Sequence, residues 1–506
     1  MSADPTSSTK PPKSSVTPDK EGIQTLREQK ESLAVTDNSP LYANRVKVHP
    51  KDVKGIARNI KTAILIFCLA LYYIGPWLRW DRGPGVPDQA ILLDMEARRA
   101  YLFNIEIWPQ EIYFLTGLLI LGALALFLVT SMFGRLWCGY ACPQSVWTDL
   151  FMMVERVIEG DRSARMRLDK QPMSGAKFAK RLAKHIVWLI ISVATGGAWI
   201  FYYSDAPTLL KELLAGQGST GAYFFLGLFT ATTYLLAGWA REQVCTYMCP
   251  WPRFQAAMCD EHTYNVTYQA WRGEKRGPHK AGTSWEGRGD CIDCRQCVAA
   301  CPTGIDIRDG SQIECINCGL CIDACNEIMD KVERPRWLIT WDSLASQNAK
   351  EAGNHGRHKL IRARTLIYMG VMTLGVVGML VAFSMRAKVE VNVLRDRAPL
   401  FVTLADGGIR NGYTVKILNK TREARVYTLS VAGLPELESQ LQGQDGQALN
   451  LTHMEVVGDS VGTFRLFVRA PRPVVKAAST PLTLSLKDKQ SGDTATYSTV
   501  FIGPTP

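Results

Sequence analysis

Residues 291–302 read C-I-D-C-R-Q-C-V-A-A-C-P, and residues 315–325 read C-I-N-C-G-L-C-I-D-A-C. Both runs have the spacing C-x2-C-x2-C-x3-C, and their first cysteines are 24 residues apart. Three cysteines on a tight loop reach three irons of one cubane, while the fourth continues to the other cubane. The spacing therefore assigns Cys291, Cys294, Cys297 and Cys325 to one 4Fe–4S cluster. It assigns Cys315, Cys318, Cys321 and Cys301 to a second. Zinc also takes C-x2-C pairs, but eight cysteines in this doubled register point to iron–sulfur. Asn326 stands where a second Pro would complete the match, at a position that is not a ligand. Two such clusters mean one-electron transfer, not hydrolysis.

Upstream lie two further matched pairs, Cys138-Gly-Tyr-Ala-Cys142-Pro143 and Cys245-Thr-Tyr-Met-Cys249-Pro250. Each has a central Tyr (Tyr140, Tyr247) and a preceding Arg (Arg135, Arg241), as in an internal repeat. Helix positions four apart share one face, and the following Pro kinks or ends a helix. The reading expects Cys138, Cys142, Cys245 and Cys249 to meet at the membrane face. Soft thiolates select Cu(I), zinc or iron–sulfur, and beside a ferredoxin run a redox-active copper site is the sharper expectation. Packing is the alternative, since free cysteine is often a small buried hydrophobe. Cys68 and Cys259 read as packing or bystander residues.

The chain has 506 residues and 14 cysteines, with none after Cys325. That length excludes a small disulfide-stapled scaffold. Apolar residues make up 47% and charged residues 21%, close to globular averages. This average hides five apolar stretches, at 62–79, 112–134, 186–203, 221–240 and 365–384. Each is long enough to cross a hydrocarbon core of about 30 Å. Lys plus Arg number 11 before the first stretch, then 3 in 80–111, 10 in 135–184, one in 204–220 and 17 in 241–364. The positive-inside rule puts the N-terminus, 135–184 and 241–364 in the cytoplasm, and the region after the fifth stretch outside. The net charge of +11 then belongs to loops facing anionic lipid. No helix-turn-helix, zinc-finger or RNP pattern supports a nucleic-acid partner.

Residues 1–40 read as a disordered tail without a signal peptide. Residues 386–506 read as all-β, with runs at 389–394, 413–418, 426–431, 463–469, 481–486 and 496–502. About seven strands fit an immunoglobulin-type sandwich, with a barrel as the alternative. The expected organisation is a basic N-terminal region (1–61), a four-span membrane domain (62–255) and a dicluster ferredoxin domain (256–361). A fifth span (362–385) and an immunoglobulin-like domain (386–506) follow.

W-C-G-Y-A-C-P-Q-S-V-W (137–147), C-P-W-P-R-F-Q-A-A-M (249–258), the doubled ferredoxin run with G-I-D-I-R (304–308) and R-N-G-Y-T-V-K-I-L-N-K (410–420) carry a family resemblance. So does V-T-Y followed by R-G-E-K-R-G within 266–277. The chain resembles the cytochrome c oxidase accessory protein family, CcoG, also called FixG or RdxA. The resemblance implies a bacterial inner-membrane protein that reduces Cu(II) to Cu(I) for assembly of cbb-type cytochrome c oxidase. It maps the family's cluster ligands onto Cys291, Cys294, Cys297, Cys301, Cys315, Cys318, Cys321 and Cys325. It maps a copper site onto Cys138, Cys142, Cys245 and Cys249, and makes the C-terminal domain immunoglobulin-like and periplasmic. The expected cofactors are two 4Fe–4S clusters and a copper ion, bound or as substrate. The expected partners are an unidentified electron donor, membrane lipid, a copper chaperone or transporter, and oxidase assembly factors. The rival readings are an electron conduit from quinol or ferredoxin to a periplasmic reductase, and a redox-sensing assembly scaffold without turnover.

Overall fold

A computed structural model describes residues 47–504, except 84–85, 280, 281, 283, 357–358, 388 and 444. The expected tail at 1–40 lies outside the described residues. Among those described, five helices are long and apolar enough to cross a membrane. They are Ile56–Trp77, Pro109–Phe133, Gly175–Ile200, Thr220–Ala240 and Ala363–Ser384. The first and third begin earlier than the apolar stretches, and cations ahead of those stretches are paired. Arg58 donates twice to Asp149, both at 2.9 Å, and Lys61 Nζ donates to the Gly139 carbonyl at 3.0 Å. Lys184 pairs with Glu159 at 2.9 Å and Glu155 at 3.3 Å. Paired charges no longer oppose burial, so the helices extend past them.

The chain divides into two compact units, Met1–Gly370 and Val371–Pro506. In the first, the helix Pro143–Glu159 follows the second span and packs its Phe151 against Trp188 and Ala237. Glu155, fully buried, accepts from Arg165 at 3.0 Å, from Lys184 at 3.3 Å and from Arg241 at 2.7 Å. Burial alone would raise its carboxyl, but Arg241, Lys184 and Arg165 together hold it down at about 2. The loop after the first span forms a small antiparallel sheet that the composition of 80–111 does not announce. Its strands are Ile91–Asp94, Arg99–Leu102 and Ile105–Ile107.

The ferredoxin segment is closed by a two-stranded antiparallel ladder, Asn265–Tyr268 with Ile339–Asp342. Val266, Tyr268, Ile322, Met329, Leu338 and Ile339 make its core with the cysteines. Its helix Leu320–Lys331 also caps the first span. Asp323 accepts the backbone N–H of Arg58 at 2.8 Å and of Ala57 at 3.3 Å. Gly55, at the N-cap, leaves the room that Asp323 occupies, since a Cβ there would meet its carboxyl at 2.3 Å.

The second unit is a sandwich of two antiparallel sheets. One runs Ala448–Leu449, Glu438–Gln442, Ser460–Ala470, Ile409–Asn419, Val389–Arg395, with Val402–Thr403 on the end of Ile409–Asn419. The other runs Met454–Val456, Arg425–Ala432, Ser479–Asp488, Thr494–Ile502. All six sequence-expected runs are strands; Glu438–Gln442 and Met454–Val456 lacked enough apolar alternation to be read. Alternate residues such as Val389, Val391 and Val393 face Leu482, Leu484, Leu486 and Phe501 in the core. No disulfide crosses it. Instead Tyr413 Oη donates to the Val500 carbonyl at 2.9 Å, and Asn411 exchanges two hydrogen bonds with the Ile502 backbone at 2.8 and 3.1 Å. The R-N-G-Y stretch is thus a polar clamp between the sheets.

Asp323→Ala leaves two backbone N–H groups of the first span without their acceptor. A lost cap costs about 1–2 kcal/mol. Thermal unfolding of the detergent-solubilised, iron-loaded protein should show a lowered midpoint, with Asp323→Asn falling between the two.

Candidate metal centre

The two ferredoxin runs fold alike because their residue types allow the same turns. In the first, Asp293 (φ 54°) and Arg295 (φ 53°) flank Cys294 in the left-handed region. In the second, Asn317 (φ 55°) and Gly319 (φ 74°) flank Cys318. Asp, Asn and Gly are the residues that enter this region most readily. Each loop then feeds a helix, Gln296–Ala300 or Leu320–Lys331; Cys297, Cys321 and Cys325 lie on these helices and Cys301 is the extended C-cap of the first.

The loops wall two cavities of nearly equal size. One, about 340 Å³, is lined by Cys291, Cys294, Cys297 and Cys325. The other, about 350 Å³, is lined by Cys301, Cys315, Cys318 and Cys321, with Cys297 also on its wall. The fourth cysteine of each run therefore stands with the first three of the other. Burial pushes the Cys297, Cys315 and Cys325 thiols up to about 12 and Cys318 to about 11. A soft metal must displace those protons, so occupancy and thiol ionisation are one event. Four sulfurs in an apolar wall suit an iron–sulfur cluster and not a hard cation, which requires oxygen ligands. Arg308 stands at the first cavity, 4.0 Å from Cys291 Sγ, held by Asp306 at 2.6 Å and Asp293 at 2.5 Å.

The C-x3-C-P cysteines do not lie on continuous α-helices. Cys138 is on the short helix Leu136–Tyr140, and Cys142 is the extended N-cap of Pro143–Glu159. Cys245 is on a π-helix, Val244–Met248, and Cys249 is its extended C-cap. Pro143 opens a helix where the sequence reading has it ending one, because at the first helical position no N–H is needed. The four thiols still gather. Burial pushes Cys245 up to about 12, and Cys142, Cys138 and Cys249 push it in the same direction. Burial, then Cys142, pushes Cys138 up to about 11, with Cys249 adding to the rise, and Cys138 Sγ contacts Gln255 Oε1 at 3.3 Å. Among the described residues no three His, Cys, Asp or Glu side chains already close around a single ion.

The first of these loops is fastened to the second ferredoxin run. A Cβ on Gly139 would lie 2.5 Å from the Ile316 carbonyl and 3.0 Å from Cys318 Cα, so only glycine fits. Tyr140 Oη donates to the Cys318 carbonyl at 3.0 Å. Arg135 donates to the carbonyls of Ile313 and, at 3.2 Å, of Cys315. Cys138 and Cys245 share an apolar cluster with Cys318, Ile316 and Leu320.

Residues 240–344 match the family described as a 4Fe-4S dicluster domain, and 115–158 one described as a 4Fe-4S binding domain. Residues 379–504 match the IG-like fold at the C-terminal of FixG. The nitrogen fixation protein FixG of Rhizobium meliloti (strain 1021) is 46% identical over 493 residues, which cover 91% of this chain and 94% of that protein. The protein RdxB of Cereibacter sphaeroides is 48% identical over 474 residues, 92% of this chain and 98% of its own. The chain belongs to the FixG family. A crystal structure of a FixG-related protein from Vibrio parahaemolyticus aligns over 23% of this chain and 97% of its own, at 25% identity and a TM-score of 0.20. As a FixG-family member this is a multi-pass membrane protein with two 4Fe–4S clusters, a redox role and an immunoglobulin-like C-terminal domain.

Within this FixG-family chain the two C-x3-C-P copies have diverged. Tyr140 is buried against the ferredoxin run, whereas Tyr247 is 75% exposed. Arg135 serves the Cys315 loop, whereas Arg241 serves Glu155 within the bundle. Matched spacing cannot reveal that difference, since it depends on which surface each copy meets. Cys259, read as a bystander, lines a third cavity of about 660 Å³ with Arg135, Asn317 and Cys315.

Cys301→Ser should remove iron from the cavity of Cys315, Cys318 and Cys321, and Cys325→Ser from the other. Each variant should retain about half of the native iron, with the surviving cluster distinguishable by its EPR spectrum. A loss confined to the run that carries the substitution would contradict the exchange. Arg135→Gln removes a cation beside Cys315, so reduction there becomes harder. Potentiometric EPR titration should show one midpoint falling by on the order of 50 mV, about 1 kcal/mol per electron, and the other unmoved.

Proposed function

We propose that this chain is a cupric reductase of the bacterial inner membrane that supplies Cu(I) for assembly of cbb-type cytochrome c oxidase. The observation that carries the reading is the direct packing of one C-x3-C-P loop on a cluster loop, through Gly139, Tyr140 and Arg135. Cys291, Cys294, Cys297 and Cys325 hold one cluster, and Cys315, Cys318, Cys321 and Cys301 the other. When bound, the clusters supply one-electron transfer. Cys138, Cys142, Cys245 and Cys249 take the copper ion, which is substrate. Their thiolate sulfur favours the cuprous state, so each Cu(II) that gains an electron is held as Cu(I) until a chaperone or transporter removes it. Burial raises the Cys138, Cys142 and Cys245 thiols, which release protons as copper enters. The basic loops support a cytoplasmic side for the clusters and the N-terminus and a periplasmic side for the sandwich, as a docking domain for an assembly partner.

A second reading is favoured by one finding, the match of 115–158 to an iron–sulfur family. There the four thiols serve an electron conduit without copper, and copper content after anaerobic purification separates the two. For the reductase, Cys245→Ala combined with Cys249→Ala should keep native iron content and lose at least tenfold in Cu(II) reduction, followed with a Cu(I) chelator. Reduction at the native rate would remove copper from these thiols.

A further inference from the structure

Away from the cysteine cavities, a cavity of about 670 Å³ opens between the start of the third span and the end of the fourth. Glu155, Lys184, His185, Trp188, Trp239 and Arg241 lie on its wall. The wall is built at some cost. The fourth span ends in a π-helix, Tyr234–Ala240, a distortion frequent at functional sites. A Cβ on Gly238 would meet the Trp188 ring at 3.1 Å. Arg241 is held in the left-handed region at φ 46° by bonds to the Gly238 carbonyl at 2.8 Å and Glu155 at 2.7 Å. Strain of this kind persists only where the surroundings enforce it.

The cations on the wall are already paired with carboxylates on it or beside it. Lys184 pairs with Glu155 and Glu159, Arg241 with Glu155, Arg181 with Glu159 and Asp169, and Lys47 with Asp169. An anionic headgroup would have to displace internal carboxylates, so the chemistry favours a neutral polar ring. His185 Nδ1 stands 2.9 Å from Tyr234 Oη, while its Nε2 has no hydrogen-bond partner among the described residues. Its ring lies 22° from parallel with Trp239. Leu189, Leu235 and Trp239, on the same two spans, are exposed, and offer a path for an apolar tail. The cavity is also coupled to the thiol loops. Gln144, two residues past Cys142, donates to the carbonyls of Leu236 at 2.9 Å and Arg241 at 3.2 Å. Arg241 itself is four residues before Cys245.

We propose that this cavity binds the headgroup of a membrane quinol, the electron donor. The proposal deepens the reductase reading and rests on it for the electrons' destination. With Nδ1–H donating to Tyr234, His185 Nε2 accepts the hydrogen bond of one quinol hydroxyl; in the other tautomer Tyr234 O–H donates to Nδ1 and Nε2–H donates to a quinone carbonyl. On oxidation the quinol loses two electrons and two protons and leaves as the quinone. Two Cu(II) ions each gain one electron and become Cu(I). One proton passes to His185 Nε2 and the other to water at the cavity mouth.

The test is equilibrium binding of decylubiquinone to the full-length, iron-loaded protein in detergent, for the native chain, His185→Phe and Tyr234→Phe. The native protein should bind saturably, and each variant at least tenfold more weakly at unchanged iron content. Tyr234→Phe keeps the ring bulk, so it reports on the site even if His185→Phe folds poorly. No saturable binding, or binding by Tyr234→Phe within twofold of native, overturns the proposal. So does phosphatidylglycerol occupying the cavity without competition from the quinone. Native protein that binds the quinone yet leaves Cu(II) unreduced by decylubiquinol keeps the site and removes the reductase reading.

Discussion

The contact on which the rest depends is the backbone approach of Gly139 to Ile316 and Cys318. Only a residue without a Cβ allows it, and it brings a membrane-face thiol loop against a cluster loop with no side chain between. Tyr140 and Arg135 then satisfy carbonyls of the cluster loop that would otherwise be buried unpaired. Lys61 does the same for Gly139 from the first span. Asp323 ties the following ferredoxin helix to the start of that span. The ferredoxin segment is therefore part of the membrane unit, not a tethered module. One-electron transfer between centres requires such proximity to be fixed.

The duplicated C-x3-C-P motif shows how a repeat is put to two uses. The first copy is turned toward the ferredoxin loops. In the second Tyr247 is exposed, and Arg241, ahead of the cysteines, completes the network around Glu155 within the bundle. Buried ion pairs of this kind seldom add net stability, because desolvation offsets their attraction. Their consistent effect here is geometric: Glu155 joins the helix Pro143–Glu159 to the third span through Lys184 and to the end of the fourth through Arg241. That fixes the relative positions of Cys142 and Cys245.

Burial raises the Cys315, Cys325, Cys138 and Cys245 thiols well above the ordinary cysteine value. In the ferredoxin cavities these thiols line an apolar wall, where metallated sulfurs are strong soft ligands. The same burial makes metal uptake there proton-coupled.

Much of this was legible in the sequence. The C-x2-C-x2-C-x3-C spacing is a local property of the chain, and the apolar stretches reflect the thickness of a bilayer, which no tertiary contact alters. Strand alternation in 386–506 follows from one face being buried. The pieces that were not legible all join residues far apart in sequence. The early starts of the first and third spans depend on Asp149, Glu155 and Glu159 as partners for Arg58 and Lys184. The different surroundings of Tyr140 and Tyr247 in the two C-x3-C-P loops, and the Asn411–Tyr413 clamp, depend on neighbours that only the fold supplies. The π-helix at Tyr234–Ala240 is invisible to a 3.6-residue period, since its extra residue is held by Gln144 from another helix. Sequence by itself determined which residues can ligate and which segments cross the membrane, because those are fixed by spacing and length. Only the tertiary structure decided which loop meets which, because that is fixed by complementary surfaces that no local pattern encodes.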